Sequence, residues 1–246
     1  MALIQITDVA FTYDGSYEPV FDGLTCRLDS GWRLGLIGRN GRGKTTLLKL
    51  LAGELRPRGE IMMPLAPALF PFAVPEGDFT TLEALTACAP ATPPWRLTLE
   101  MNRLDMPEET LARPYATLSR GEQTKVQLAA LFAREDAYPL IDEPTNHLDL
   151  EGRRRVGEYL RRQSGFLLVS HDRAFLNRCI DHTLSLNRSG VTVTRGNFDT
   201  WEREWERQNQ SEQALNDRLQ KDVERLTQSV RRQAAWSRKG KRGNSA

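Results

Sequence analysis

The segment GRNGRGKT, Gly38 to Thr45, constrains the fold of this chain more than any other. It follows the β-rich run WRLGLI and opens the helical run TTLLKLL, so it joins a strand to a helix. Its glycines let the backbone wrap closely around an anion without a Cβ in the way, and free N–H groups at the helix start point at that anion. The spacing therefore predicts a phosphate-binding loop rather than an ordinary glycine turn.

This loop predicts roles for individual side chains. Lys44 is expected to reach the β- and γ-phosphates of a bound nucleotide, and the Thr45 hydroxyl to ligate Mg²⁺. The loop and the start of its helix supply the remaining contacts to the phosphates. The predicted binding residues are Gly38, Arg39, Asn40, Gly41, Arg42, Gly43, Lys44, Thr45 and Thr46.

Two adjacent carboxylates, Asp142 and Glu143, end the apolar run AYPLID. A carboxylate at the end of a parallel strand beside the phosphate loop can hold Mg²⁺, and we expect this of Asp142. Because side chains alternate along a strand, Glu143 is expected to point elsewhere, toward a water in line with the γ-phosphate, as general base or polariser. Two surface acids at a strand end are the simpler interpretation, which the phosphate loop makes the weaker one.

The segments LSRGEQ and VSHD each allow two interpretations. Ser119 and Glu122 have the S-x-x-E spacing of a capping box, so a well-capped helix alone explains them. Alternatively, Ser119, the Gly121 backbone and the helix N-terminus form a second phosphate site. His171 follows a buried strand at the edge where α/β folds bind ligands, and its imidazole could hydrogen-bond the γ-phosphate. A lone histidine after a strand is more often structural.

Short apolar strands alternate with helices along most of the chain, which predicts a mostly parallel sheet covered on both faces. A strongly amphipathic helix is predicted from Ser119 to Glu135, whereas the proline-rich stretch from Pro64 to Pro94 cannot be one continuous helix. After Asn197 the pattern indicates a long helix with a narrow apolar seam. The seam consists of Leu215, Leu219, Val223, Leu226 and Val230.

Composition excludes several classes of protein. Hydrophobic residues make up 39% and charged residues 27% of the chain, which suits a packed core rather than general disorder. The three cysteines are widely separated, without zinc or disulfide spacing, so a reducing, cytoplasmic setting is expected. No apolar run is long enough to span a bilayer, so no direct membrane insertion is expected. The net charge of +2 gives little evidence of a nucleic-acid partner, although the end of the chain is basic.

Four motifs in order, GRNGRGKT, LSRGEQ, LIDEPTNHLD and VSHD, resemble the Walker A, signature, Walker B with D-loop, and switch histidine of an ATP-binding cassette (ABC) ATPase. The resemblance covers about residues 1–197 and implies an α/β P-loop NTPase cassette with ATP and Mg²⁺ as cofactors. It implies a mostly parallel core sheet, an antiparallel β subdomain and a helical subdomain at about 76–135. A linker helix at 198–236 and a basic, disordered end at 237–246 would follow. Glu143, His171 and Lys44 would be the catalytic residues.

The same resemblance implies a second cassette, because each ATP in ABC proteins lies between Walker A of one cassette and the signature of the other. Ser119, Gly121 and Glu122 are then expected to serve the partner's nucleotide, and Asp149 to face the partner. Tyr13 matches the aromatic residue that stacks on adenine. The chain is expected to be a truncated half or one copy of a homodimer, and to hydrolyse ATP slowly without its partner.

The sequence NHLD within the D-loop resembles the ABC-F group of soluble, two-cassette proteins that act on the ribosome. The segments FPF and GNFDTWEREWERQ look most like its antibiotic-resistance, ribosome-protection branch. This implies a cytoplasmic protein whose linker helix contacts the ribosome or its RNA. Two alternatives remain: the ATP-binding subunit of an ABC transporter, or a weakly hydrolysing, degenerate cassette. Pro139 in the Walker B strand and the absence of the family's Q-loop glutamine favour the second alternative.

Overall fold

The computed structural model describes residues 2–74, 77–187, 190–211, 213 and 219–221. Internal contacts divide the chain into two units, Met1–Trp201 and Glu202–Ala246. The first unit contains two β-sheets and the helices that pack on them. In the second unit, residues 202–211 are helical.

Strands and helices alternate through most of the first unit. The strands are β1 (Leu3–Phe11), β2 (Phe21–Asp29), β3 (Arg33–Ile37), β4 (Arg58–Met62), β5 (Ala66–Phe70), β6 (Ala137–Asp142), β7 (Phe166–Val169), β8 (His182–Asn187) and β9 (Gly190–Arg195). The α-helices are α1 (Lys44–Leu51), α2 (Thr81–Cys88), α3 (Pro94–Arg103), α4 (Arg120–Ala133), α5 (Leu150–Arg162) and α6 (Arg173–Cys179). Two 3₁₀ turns, Glu108–Ala112 and Tyr115–Thr117, separate α3 from α4.

The larger sheet has the order β5-β6-β7-β3-β8-β9. All neighbouring pairs are parallel except β8 with β9. Every residue of β7 is buried, as expected for a strand covered on both faces. Because parallel strands end at one edge, the segments that follow β3, β6 and β7 gather there. The predicted α/β fold with a mostly parallel sheet is confirmed.

The smaller sheet is antiparallel, with β1 between β2 and β4. Alternate residues of β1, such as Ile4 and Ile6, are almost fully buried. They join a hydrophobic cluster with Leu34 and Leu36 of the parallel sheet, so the two sheets share a core. The predicted antiparallel sheet is therefore present and packs beside the strand that leads into the phosphate loop.

The helices α2, α3 and α4 follow the proline-rich stretch. That stretch contains the strand β5 and the separate helix α2. This confirms the prediction that it is not one continuous helix. A capping box between Thr80 and Glu83 starts α2, and a second one between Ser119 and Glu122 starts α4. Helix α4 covers most of the helix predicted from Ser119 to Glu135, and it packs into the main core through Val126 and Leu128.

Pro139 lies in β6, which runs between β5 and β7. The sequence predicted that a proline there loses a hydrogen bond of the ladder. β6 pairs with β7 from Leu140 onward, while Pro139 is in register with Ala68 of β5. The Glu143 N–H donates to Val169 of β7, and because N–H groups alternate sides along a strand, the N–H position of residue 139 is on the β7 side as well. That position lies just before the first paired residue of β6 and β7, so the loss at Pro139 stays a prediction.

The long helix predicted at 198–236 is helical over residues 198–211, at 213 and at 219–221. The rest of that prediction lies outside the described residues, as does the basic end at 237–246. Four residues of its predicted seam are also outside them: Leu215, Val223, Leu226 and Val230. Among the described residues, no helix has the length and apolar character needed to cross a membrane.

Candidate functional site

The phosphate-binding loop leaves β3 at Ile37 and runs into α1 at Lys44. Gly41 and Gly43 have φ angles of 78° and 85°, in the left-handed region that favours glycine. At Gly43, the N-cap residue of α1, an added Cβ would lie only 2.5 Å from Val20 Cγ1. Glycine is required there by both its backbone angle and the space, which agrees with a loop shaped to receive a ligand.

The Lys44 side chain folds back over this loop. Its Nζ donates hydrogen bonds to the carbonyl oxygens of Gly38, at 2.9 Å, and Arg39, at 3.4 Å. Burial lowers the pKa of Lys44, and the nearby carboxylates of Glu143 and Asp142 oppose that shift. The ammonium group is therefore held above the loop, close to two acidic side chains.

Thr45 and Asp142 bring two oxygen atoms together at the carboxyl edge of the sheet. The Thr45 hydroxyl donates to Asp142 Oδ2 at 3.1 Å, although 97 residues separate them in sequence. Hydroxyl and carboxylate oxygens are ligands that Mg²⁺ accepts, and this ion commonly keeps water and phosphate oxygens as its other ligands. The sequence prediction that these two residues share a site agrees with their geometry.

Glu143 lies one residue beyond the end of β6. The sequence analysis directed its side chain away from that of Asp142, toward the attacking water, and both residues line the same cavity. Glu143 has a φ of 50°, outside strand geometry, while its N–H still donates to Val169 of β7. The separate roles expected for the two carboxylates stay predictions.

The Glu143 carboxylate faces His171 at the end of β7. Its Oε2 accepts a hydrogen bond from the His171 backbone N–H at 3.3 Å. Its Oε1 lies 3.5 Å from His171 Nε2 and is buried, without a hydrogen-bond partner in the part of the chain that the structure describes. Burial raises the pKa of Glu143, and His171 opposes this. A buried oxygen without a partner is costly, and it marks a position that a ligand or water can occupy.

One cavity of about 540 Å³ connects these groups. Its lining combines the phosphate loop, the ends of β6 and β7, and the segment between β1 and β2. The lining residues are Tyr13, Val20, Asn40, Gly41, Gly43, Lys44, Thr45, Thr46, Asp142, Glu143, Val169 and His171. Gly38, Arg39 and Arg42 belong to the same loop but do not line this cavity. Val20 was missed because an isolated valine carries no motif.

Tyr13 is the aromatic residue at one end of this cavity. Its hydroxyl shares a 3.0 Å hydrogen bond with Thr46 Oγ1, and its ring packs edge-to-face on Phe11 with centroids 4.9 Å apart. The side chain remains exposed, with 43% of its area accessible. A fixed but accessible ring has the properties needed to stack on a nucleobase.

The signature segment lies outside the cavity. Ser119 Oγ accepts from the Glu122 N–H at 3.2 Å, and a carboxylate oxygen of Glu122 accepts from the Ser119 N–H at 2.8 Å. The capping interpretation of this segment is thus confirmed. A Cβ at Gly121 would lie 3.2 Å from the His147 carbonyl oxygen, so the signature packs directly on the NHLD turn.

Asp149 also makes its contact within its own helix. Its Oδ1 accepts a 2.7 Å hydrogen bond from the Gly152 N–H and caps α5. Asp149 does not line the cavity that holds Lys44 and Glu143. The predicted site residues therefore fall into two groups: those that line the cavity or belong to its phosphate loop, and those at or near the starts of α4 and α5.

The donor set of the cavity fits nucleotide phosphates with a magnesium ion. It combines a lysine ammonium, a glycine loop at a helix start, the neighbouring oxygens of Thr45 and Asp142, and the buried Glu143 Oε1, which no described residue hydrogen-bonds. Among the described residues, no group of three or more His, Cys, Asp or Glu side chains could hold a metal by itself. Magnesium here would rely on Thr45, Asp142 and oxygens outside the protein.

Comparison with known proteins agrees with this geometry. The family profile described as ABC transporter matches residues 21–146, about half of the chain, and the chain belongs to that family of ATP-binding cassettes. It is 32% identical over 206 residues to human ATP-binding cassette sub-family F member 3, covering 81% of this chain and 29% of that protein. It is 30% identical over 242 residues to the ribosome protection protein VmlR of Bacillus subtilis, covering 96% and 41%.

Solved structures share the fold as well. An ATP-binding subunit of an ABC transporter is 26% identical, with a TM-score of 0.66 over 82% of this chain and 93% of that one. The resemblance to the ABC-F group is confirmed by the sub-family F relative and by VmlR. The chain spans well under half the length of these two curated relatives.

Proposed function

We propose that this cassette binds ATP with Mg²⁺ at the cavity between the phosphate loop and the ends of β6 and β7, and hydrolyses it. The observation that carries this proposal is the meeting of Lys44, Thr45, Asp142, Glu143 and His171 at one cavity. ATPase activity is general among ABC cassettes, and three of the four motifs of that family supply these side chains.

Each residue has a distinct task in the proposed reaction. The Lys44 ammonium group gives up its hydrogen bonds to the loop carbonyl oxygens and donates to phosphate oxygens instead. Its positive charge stabilises their negative charge. Thr45 and Asp142 would hold magnesium, which would supply positive charge beside the phosphates. Glu143 takes a proton from the attacking water or orients it, and its raised pKa brings it closer to neutral pH.

His171 and Tyr13 position the nucleotide in this proposal. The imidazole of His171 is largely exposed and faces the cavity beside Glu143, so it can donate a hydrogen bond to a γ-phosphate oxygen. Tyr13 stacks on adenine, and its hydrogen bond to Thr46 fixes the ring beside the loop.

A second cassette completes the site in our account. Ser119, Gly121, Glu122 and Asp149 lie outside the cavity and would contact the nucleotide of a partner. Such a partner is another copy of this chain or a cassette in the same longer protein. Without it, we expect slow hydrolysis, because part of the stabilisation of the transition state comes from the partner's signature.

We further propose that the cassette belongs to a cytoplasmic ABC-F protein that acts on the ribosome and confers antibiotic resistance by ribosome protection. The similarity to the ribosome protection protein VmlR over 96% of this chain supports this. The helix that begins at residue 198 is the proposed start of a linker that reaches ribosomal RNA. A transporter subunit is the competing function, supported by the similarity to an ATP-binding subunit of an ABC transporter.

Ribosome cosedimentation tests this function. A Glu143→Gln chain that binds ATP without hydrolysing it should accumulate in the bound state and enter the ribosomal pellet with ATP and Mg²⁺. The matched control is Lys44→Ala/Glu143→Gln, which lacks the phosphate-binding ammonium and should remain in the supernatant. Equal amounts of both variants in the pellet, or none of either, would reject the ribosomal function and leave the transporter alternative.

A further inference from the structure

The turn that carries Glu143 is joined to the segment that carries His171 at a second point, behind the cavity. Thr145 Oγ1 and Ser170 Oγ lie 3.3 Å apart. Both residues are buried, with 4% and 7% of their area exposed. Each follows a strand of the parallel sheet: Thr145 comes after β6, and Ser170 directly follows β7. The contact therefore joins the turns after two adjacent strands.

Ser170 and Asp172 extend this contact into α6. Ser170 Oγ also accepts the Asp172 backbone N–H at 3.1 Å, and Asp172 Oδ1 caps α6 by accepting from the Phe175 N–H at 3.0 Å. His171 lies between the two residues. The hydrogen bonds of Ser170 and Asp172 therefore fix the backbone on both sides of His171, and neither involves the imidazole ring.

Arg153 of α5 makes a second connection between the turn after β6 and the segment after β7. Its Nε donates to the Leu148 carbonyl oxygen at 3.1 Å, and its Nη1 donates to Asp172 Oδ2 at 3.3 Å. One planar guanidinium therefore touches the turn after β6 and the segment after β7 at once. Arg153 and Asp172 are both partly exposed, so we expect this connection to be weaker than the buried hydroxyl pair.

Glu143 needs such support because of its backbone. A φ of 50° is unfavourable for a residue with a Cβ, and it persists only where neighbouring contacts hold it. The Glu143 N–H is fixed by Val169 on the strand side. The contact between the Thr145 and Ser170 hydroxyls, two residues further along the chain, fixes the turn that follows Glu143.

We propose that Thr145, Ser170, Asp172 and Arg153 form a supporting network that positions Glu143 against His171 for hydrolysis. These four are positioning residues, because they act through Glu143 and His171 and none of them lines the cavity. The inference rests on the proposed ATPase function of the same site. It assigns a role to the turn after Glu143: the geometry of that turn sets the distance between the carboxylate and the imidazole.

The primary test compares Thr145→Val with Thr145→Ser in the full chain. Valine removes the hydroxyl at nearly constant size, whereas serine retains it. We expect Thr145→Val to lower kcat for ATP about tenfold with KM changed less than about twofold, since misplacing a catalytic group affects the chemical step. Thr145→Ser should restore kcat to within about twofold of the original chain. A purely structural role would lower thermal stability without this split.

A second readout does not depend on hydrolysis. The chain has three histidines, so the ring NMR signals of His171 can be assigned with a His171→Gln variant. Those signals should shift in Thr145→Val and return in Thr145→Ser. The signals of His182, which stacks on Trp32, serve as the internal reference and should not move.

Two arginines of α5 provide a matched pair in case the buried variants unfold. Arg153→Gln removes the connection between the two segments, while Arg154→Gln removes ion pairs to Glu151 and Glu158 within the same helix. We expect Arg153→Gln to lower kcat about threefold and to shift the His171 signals, and Arg154→Gln to do neither.

The outcomes separate this inference from the proposed function. If the original chain hydrolyses ATP no faster than Lys44→Ala at every chain concentration tested, the ATPase proposal fails, and the His171 signals alone decide whether the network positions His171. Unchanged His171 signals in Thr145→Val and Arg153→Gln overturn the inference. If the original chain hydrolyses ATP, shifted His171 signals with an unchanged kcat in these two variants also overturn the inference.

Discussion

The phosphate loop and the signature segment are both glycine-containing turns at helix starts, but they differ in how their polar groups are used. At the signature, Ser119 and Glu122 satisfy each other in a capping box. At the phosphate loop, the N-cap Gly43 gives no side-chain cap, and Lys44 donates to carbonyl oxygens of its own loop. Nearby, the buried Glu143 Oε1 has no hydrogen-bond partner among the described residues.

This difference indicates which region is ready for a ligand within one chain. The phosphate-loop region keeps groups that a polyanion, a metal ion or a water molecule can satisfy. The signature is already capped as a helix start and lies outside the cavity, so we expect it to contribute nothing to nucleotide binding by its own chain. Five predictions test this comparison, ordered from the largest expected effect to the smallest.

The largest effect is expected on hydrolysis at Glu143. Glu143→Gln should lower kcat by about 10²–10⁴-fold, because the general base or water-orienting carboxylate is lost. ATP affinity should remain within a factor of about three, since no phosphate contact is removed. Steady-state phosphate release and titration with a fluorescent ATP analogue measure the two quantities. A variant that keeps more than about half of the original kcat would remove Glu143 from the mechanism.

ATP binding to the isolated chain should depend on the phosphate loop and not on the signature. Lys44→Ala should weaken ATP binding to the isolated chain by about 10²-fold, because a charge-assisted contact is worth about 2–3 kcal/mol. Ser119→Ala should leave that affinity unchanged. Calorimetric titration of both variants measures the contrast. Equal losses at both positions would mean that the signature contributes to the nucleotide site of its own chain.

The pH dependence of hydrolysis should reflect the burial of Glu143. The carboxylate acts in its ionised form, and burial raises its pKa, so activity is present above the raised pKa and is lost as pH falls through it. The acid limb of the kcat profile should therefore lie above the pKa of about 4.3 of an ordinary glutamate, with about a tenfold loss per pH unit below it. A Glu143→Gln chain should lack this limb. An acid limb at the ordinary value would contradict the burial of Glu143.

Thermal stability should fall when the capping side chain of the signature is removed. Ser119→Ala removes a capping side chain and should cost about 1 kcal/mol, or roughly 2–4 °C in Tm for a domain of this size. Ser119→Asp, which can still cap the helix, should restore Tm. Differential scanning calorimetry of the three chains measures this effect. A Ser119→Ala chain as stable as the original would show that the capping box contributes little.

The smallest effect is expected at Pro139. Because its missing N–H lies ahead of the ladder between β6 and β7, Pro139→Leu should change the free energy of unfolding by less than about 0.5 kcal/mol. Denaturant unfolding provides the measurement. A gain above about 1 kcal/mol would show that the proline does interrupt the strand.

Much of this architecture could be predicted from the sequence, because the strands are apolar and the phosphate loop fixes their neighbours. Helix α2 was not anticipated inside the proline-rich stretch, although Thr80 and Glu83 carry the spacing of a capping box. The φ of 50° at Glu143 could not be predicted, since the rule of alternation ends with the strand. The contacts of Thr145, Ser170 and Arg153 could not be predicted, because they join segments that only the fold brings together.

The dependence of hydrolysis on chain concentration tests the central claim most directly: that one chain holds only part of a catalytic site. Turnover per chain is measured over about a hundredfold range of concentration, with Lys44→Ala as background. We predict turnover near that background at low concentration and a rise with concentration as copies pair. A turnover well above background that does not depend on concentration would contradict the claim.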